Sequence, residues 1–286
     1  MKVIDIIKSS KPSLSFEVFP PKTDANFDSV MKSALDIAAL SPSYMSVTYG
    51  AGGSTAAYTA EISSSILKSG VSPVAHLTCV NADREKIIST LTDLKSKGIE
   101  NILALRGDIP DGVDKSAFTY KYASELTSEI KAFGSFCVGG ACYPECHPES
   151  KNSADDIEGL KRKVECGCEY LTTQMFFDNN ILYNFMYRLL RAGVDVPIVA
   201  GIMPVTNAAQ IKRICSISKN ALPQRFLRIV DRFGEDPDAM RQAGIAYATE
   251  QIIDLYANGV NAVHVYSMNK PEVASAIKAN LSEILK

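Results

Sequence analysis

Leu14-Ser15-Phe16-Glu17-Val18-Phe19-Pro20-Pro21 is the stretch on which the reading of this chain turns. Its first six residues are a mostly apolar run closed by two prolines, which carry no amide proton to extend a ladder. Leu14–Phe19 therefore reads as a buried strand. A carboxylate lies inside it. A carboxyl group that loses hydration favours its protonated form, the form a general acid needs near neutral pH. Taken alone, a strand glutamate is explained as well by an ion pair with an Arg or Lys on a neighbouring strand.

Strand-like runs recur outward from this one, at Tyr44–Tyr49, Pro73–Thr78, Asn101–Arg106, Phe136–Tyr143, Tyr170–Phe176, Pro197–Ile202 and Ala262–Tyr266. Amphipathic helical patterns lie between them, over Phe27–Leu40, Thr55–Lys68, Asp83–Ser96, Tyr120–Phe133, Ala154–Cys166, Ile181–Arg191 and Ala208–Ser218. A longer helix, Pro237–Ala257, precedes the last strand, and Pro271–Leu285 closes the chain. Asp83 and Asp155 suit helix starts, while Gly98, Gly167, Gly193 and Gly259 stand where helices should stop. Eight strand–helix units in 286 residues predict an α/β chain folded as a single (β/α)8 TIM barrel. An extra short helix, Leu222–Phe233, is expected before the last strand unit. The other arrangement is an open doubly wound sheet, but no G-x-G-x-x-G follows the first strand to mark a dinucleotide site of that kind. Gly107–Lys115 is the longest polar loop and follows the fourth strand, on the face where barrel active sites are built.

A net charge of −2 leaves no basic footprint for nucleic acid or an anionic membrane. No apolar run reaches the length of a membrane span, and the N-terminus lacks a secretory apolar region, so a cytoplasmic location is expected. Seven cysteines, an odd number, fit reduced thiols better than a disulfide framework. Five of them, Cys137, Cys142, Cys146, Cys166 and Cys168, fall close together in sequence, beside His147. These residue types can hold zinc or an iron–sulfur cluster, yet the spacings C-x3-C-H and C-x-C match no paired C-x2-C knuckle. Buried free thiols account for them with less, and no metal site is expected.

Side chains alternate along a strand. If Leu14, Phe16 and Val18 face the helices, Ser15, Glu17 and Phe19 face the barrel interior. The same test turns inward Ser46 and Thr48, His76 and Thr78, Thr172 and Gln174, and His264 and Tyr266; Arg106 and Asp108 share parity at the end of the fourth strand. Most lie toward the C-terminal ends of their strands. Polar groups converging from several strands on one mouth describe a site.

At these residues the chain resembles the 5,10-methylenetetrahydrofolate reductase family, flavin-dependent barrel enzymes of one-carbon metabolism. The resemblance runs through Ser15-Phe16-Glu17-Val18-Phe19-Pro20-Pro21, Ser46-Val47-Thr48-Tyr49-Gly50, Ala75-His76-Leu77-Thr78-Cys79 and Ala104-Leu105-Arg106-Gly107-Asp108. It continues in Tyr143-Pro144-Glu145-Cys146-His147-Pro148-Glu149, Leu160-Lys161-Arg162-Lys163, Thr173-Gln174-Met175-Phe176-Phe177-Asp178 and Gly201-Ile202-Met203-Pro204-Val205. These segments follow one another in order over nearly the whole chain. The resemblance implies one flavin-binding catalytic domain over residues 1–286, with FAD, or in some relatives FMN, at the C-terminal mouth. By position it implies flavin contacts from Thr48, His76, Arg106, Gly107, Asp108, Tyr122, Ala123, Ala141, Tyr143, His147, Asp156 and Lys163. Glu17 matches the general acid that protonates N10 of methylenetetrahydrofolate, and Asp108 the carboxylate that stabilises the resulting cation. Gln174, Gln210, Tyr266 and Lys270 match substrate contacts.

The resemblance further implies NADH or NADPH as donor, ping-pong kinetics on one flavin face, a homo-oligomer, and in some relatives an accessory electron-transfer subunit. Lys270 stands where bacterial members carry Arg, and Ile214 where some relatives place a stacking aromatic. The chain leaves no length for the regulatory domain of eukaryotic members, so inhibition by S-adenosylmethionine through such a domain is not expected. Two other readings stay open on the sequence. One is a metal- or cluster-dependent pterin methyltransferase subunit using the cysteines from Cys137 to Cys168; the other is a catalytically silent folate-binding partner.

Overall fold

Short apolar strands that cannot bury both faces alone, each followed by an amphipathic helix, close here into a barrel. The computed structural model describes residues 1–21, 23–49, 56–109, 118–211, 214 and 222–286. The strands are β1 (Ser13–Val18), β2 (Met45–Val47), β3 (Pro73–Thr78), β4 (Asn101–Leu105), β5 (Cys137–Cys142), β6 (Tyr170–Thr173), β7 (Ile198–Ile202) and β8 (Ala262–Tyr266). Each pairs in parallel with the next, and β8 returns to β1 with Glu17 opposite Tyr266. The helices are α1 (Val3–Ile7), α2 (Phe27–Ala38), α3 (Ala56–Lys68), α4 (Arg84–Ser96), α5 (Ala123–Phe133), α6 (Ser153–Glu165) and α7 (Asn179–Arg191). After them come α8 (Gln224–Phe233), α9 (Pro237–Ala257) and α10 (Pro271–Asn280). Of the helix expected at Ala208–Ser218, residues 212–213 and 215–218 lie outside the described residues, as do residues 110–115 of the expected loop. Among the described residues, no helix is long and apolar enough to cross a membrane.

Outward-facing strand residues such as Phe16, Val18, Met45, Val47, Ile202 and Val265 are buried with helical Ile37, Ile66, Leu182, Ile252 and Ile277. The interior divides along the barrel axis. At its N-terminal end, Val74, Leu103, Cys137, Tyr170, Val199 and Ala262 pack with Val3, Ile4 and Ile7 of α1. Asn101 fastens that helix, accepting from Val3 N at 2.7 Å and donating to Met1 O and Pro73 O at 3.2 and 3.1 Å. Helix α1 was not expected from the sequence.

Two tyrosines fill the barrel by entering space left by glycines on a neighbouring strand. A Cβ on Gly139 would land in the ring of Tyr170, and a Cβ on Gly201 would meet the Tyr266 hydroxyl. Tyr266 then donates to Thr173 O at 2.5 Å, a bond that ties β8 to β6 across β7. The C-terminal end is not filled in this way.

Candidate active site

A cavity of about 1120 Å3 opens at the C-terminal ends of the strands. That is slightly more than an ordinary small-molecule pocket holds. Its inner wall carries Glu17, Ser46, His76, Thr172, His264 and Tyr266, all on the face that strand alternation assigns to the interior. Thr48, Thr78 and Gln174 complete the inward set at the mouth.

Glu17 lies on the cavity wall with 19% of its side chain exposed, so it is turned toward the opening rather than sealed in the strand. Two imidazoles flank it: His76 Nε2 lies 3.7 Å and His264 Nε2 3.8 Å from Glu17 Oε2. His264 is held by two hydroxyls, its Nδ1 2.7 Å from Ser15 Oγ and its Nε2 2.9 Å from Ser46 Oγ. Burial drives the pKa of His76 down to about 4, against a partial upward pull from Glu17 and with a further push from His264. At neutral pH His76 is therefore uncharged. Its Nε2 is buried without a hydrogen-bond partner among the described residues. A polar atom left so in a cavity is a place for a ligand atom.

Elsewhere the cavity lining carries charges of both signs, Arg106 and Lys163 among Asp108, Glu149 and Asp156. Strand β4 ends at Leu105, one residue before the sequence places its end, so Arg106 reaches the cavity from the following turn and not by strand parity. Gly107 makes that turn at φ +88°, a conformation side chains with a Cβ rarely adopt. Arg106 Nη1 donates to Glu149 Oε2 at 2.5 Å, and this carboxylate raises the pKa of the guanidinium. Lys163, reaching in from α6, is half-buried and donates to Ala141 O at 2.6 Å; desolvation lowers its pKa. Asp156, on the first turn of α6, accepts from Ser150 Oγ at 3.2 Å. His147 meets the ring of Tyr143 edge-on at 4.6 Å, and burial lowers its pKa, aided by Arg106. Asp108, Tyr122 and Ala123 line the rim.

Every flavin contact named from the sequence thus lines this cavity, as do Glu17, Gln174 and Tyr266. Gln210 and Lys270 stand apart from its wall. Gln210 Oε1 is buried with no partner among the described residues, and Lys270 Nζ donates to Thr206 Oγ1 at 3.0 Å. The cysteines do not converge. Cys137 belongs to the cluster at the N-terminal end of the barrel, Cys142 and Cys168 to the outer core, and Cys146 to a surface turn. Burial pushes the Cys168 thiol up to about 12 and Cys137 to about 11, the reverse of what a thiolate ligand needs. Among the described residues, no three His, Cys, Asp or Glu side chains are placed to hold a metal ion.

The family model for methylenetetrahydrofolate reductase matches residues 2–282. The chain belongs to this reductase family. The 5,10-methylenetetrahydrofolate reductase of Escherichia coli K12 is 34% identical over 93% of this chain and 89% of its own length. The Zea mays enzyme named methylenetetrahydrofolate reductase (NADH) 1 is 35% identical over 99% of the chain. The chain spans about half the length of that plant relative. Among solved structures, an uncharacterized Clostridium thermocellum protein that binds two copies of 5-methyl-5,6,7,8-tetrahydrofolic acid superposes with a TM-score of 0.66. It is 13% identical, with 99% of both chains covered. A Pyrococcus furiosus tryptophan synthase α-subunit reaches 0.57 at 13% identity, covering 96% of this chain and 98% of its own. Both likenesses are of fold.

Proposed function

We propose that this chain reduces 5,10-methylenetetrahydrofolate to 5-methyltetrahydrofolate with electrons from NADH or NADPH, through a bound flavin and with ping-pong kinetics. The observation that carries the reading is a cavity-facing carboxyl, Glu17, set beside an uncharged imidazole in a barrel of the reductase family. The site fits a flavin: the cavity is large, Arg106 and Lys163 line it, and the orphaned His76 Nε2 faces it. Arg106 and Lys163 would hold the pyrophosphate of FAD, since charge-assisted contacts to phosphate are the strong ones. Asp156 would accept from a ribose or adenine donor; Thr48, Gly107, Tyr122, Ala123, Ala141, Tyr143 and His147 would complete the seat. When bound, the flavin supplies a two-electron carrier between nicotinamide and the folate methylene.

The protein's own residues handle protons and charge. Glu17 gives a proton to N10 of the folate, which opens the five-membered ring to a 5-iminium cation. A neutral His76 puts no positive charge beside Glu17 while the proton leaves. Asp108, exposed at the rim, offers fixed negative charge to the cation. Gln174 and Gln210 would contact the folate, with Tyr266 and Lys270 toward its tail. The same fold carries a folate in the Clostridium thermocellum protein.

Anaerobic visible spectroscopy of the purified protein tests the reading. Flavin bands should bleach with NADH or NADPH and recover on adding methylenetetrahydrofolate. Glu17→Gln should bleach normally and recover roughly 10^2- to 10^4-fold more slowly, the usual worth of a general acid. A protein that takes up neither FAD nor FMN would overturn the reading, and full turnover by Glu17→Gln would remove the acid assignment.

A further inference from the structure

The ladder between β8 and β1 ends at the pair Tyr266–Glu17. Beyond it the backbone of β1 is held by side chains. Ser267, itself buried, donates through Oγ to Glu17 O at 2.7 Å. Asn269 closes a two-bond pair with Phe19: its Oδ1 accepts from Phe19 N at 2.9 Å, and its Nδ2 donates to Phe19 O at 2.9 Å. Pro20 and Pro21 follow and cannot donate. Reaching this position takes two successive left-handed residues, Met268 at φ 55° and Asn269 at φ 53°. Backbone in that region is costly for residues with a Cβ and persists where the surroundings over-determine it. The bonds come from two side chains 250 positions away in sequence and hold Glu17 by its own carbonyl and by Phe19, two residues beyond it.

From these contacts we propose that Asn269, with Ser267, is a positioning residue for the Glu17 acid. The turn after β8 extends the edge of β1 by side-chain bonds and so fixes where the Glu17 carboxyl stands between His76 and His264. Neither residue lines the cavity. Their influence on the reaction runs through β1 and falls on the folate half-reaction, which uses the acid, and not on reduction by nicotinamide, which does not. This rests on the assignment of Glu17 above. Lys270, the next residue, belongs to the same turn and is anchored on Thr206.

The test is Asn269→Gly, which removes the clamp while tolerating the positive φ, made beside Ser267→Ala and Glu17→Gln in the intact flavin-loaded protein. Three quantities are read: the rates of the two half-reactions, the melting temperature, and amide hydrogen exchange at Phe19. In Asn269→Gly, Phe19 should exchange faster and the folate half-reaction should slow on the order of 10- to 100-fold, the cost of a misplaced catalytic group. The nicotinamide half-reaction should stay within about twofold, because no interaction it uses has been removed. Ser267→Ala should move the same half-reaction in the same direction. If both half-reactions fall together, or neither does while Glu17→Gln is slow, the positioning role is overturned. If Glu17→Gln keeps its rate, the acid assignment falls, and this role with it.

Discussion

The two ends of this barrel are made from the same eight strands and behave as opposites. At the N-terminal end, apolar interior residues meet Val3, Ile4 and Ile7, and Asn101 satisfies the backbone groups it touches. At the C-terminal end, His76 Nε2 has no hydrogen-bond partner among the described residues, Met268 and Asn269 adopt left-handed backbone, and a carboxyl sits between two histidines. The first end is mostly apolar packing, in which the buried Tyr170 hydroxyl also has no partner among the described residues, while the second opens on the cavity. A polar group is costly in one place and useful in the other because only the mouth receives something to bind.

Substitutions that mistake one end for the other should fail most. Val3→Asp buries an unpaired carboxylate in the sealed end and should remove about 4 kcal/mol or more of stability. Urea titration would read this, whereas Glu17→Gln at the mouth should leave the urea midpoint nearly unchanged. Equal losses would break the contrast. Next comes His76, whose pKa is about 4 when folded against an ordinary 6.5. Between these values the unfolded chain holds a proton that the folded chain does not. Its contribution is therefore present above pH 6.5 and lost as pH falls toward 4, by roughly 3 kcal/mol. Thermal melts across this window should decline less steeply for His76→Gln; an identical slope would refute a neutral buried His76.

Asn101→Ala should cost roughly 2 kcal/mol, since it leaves Val3 N, Met1 O and Pro73 O without their partner. Its signature is a lower melting temperature with an unchanged kcat, and a loss confined to kcat would show that the two ends are coupled. The smallest effect belongs to a pair at neither end. Arg225 and Glu250 are exposed and ion-paired on the helical shell, and Arg225→Ala should shift stability by less than about 1 kcal/mol. A larger shift would mean that the shell also takes part in the division.

What the sequence revealed follows from which signals are periodic. Alternation turns Glu17, His76, His264 and Tyr266 inward, and the structure puts all four on the cavity wall. Helix α1 escaped because five residues carry too little periodicity to read, and its stability comes from residues such as Asn101 far along the chain. Cysteines clustered in sequence were dispersed by the same alternation, since Cys137 and Cys142 fall on opposite faces of β5. The residues proposed to seat a flavin were reached through resemblance, as neither Arg106 nor Tyr122 follows a periodic rule. Ser267 and Asn269 had no local signal at all: their bonds are to the backbone of β1, and a sequence does not display which carbonyl a distant serine will meet.

The glycine–tyrosine pairs carry a consequence for how such barrels diverge. Each volume is jointly owned: Tyr170 occupies what Gly139 leaves, and Tyr266 what Gly201 leaves. Neither partner can change size alone without a clash or a void, and a Cβ on Gly201 would meet the Thr173 backbone carbonyl as well as Tyr266. Tyr266 also borders the cavity. A smaller side chain at position 266 would therefore open a void beside the cavity that Gly201, held against the Thr173 carbonyl, could not grow to fill.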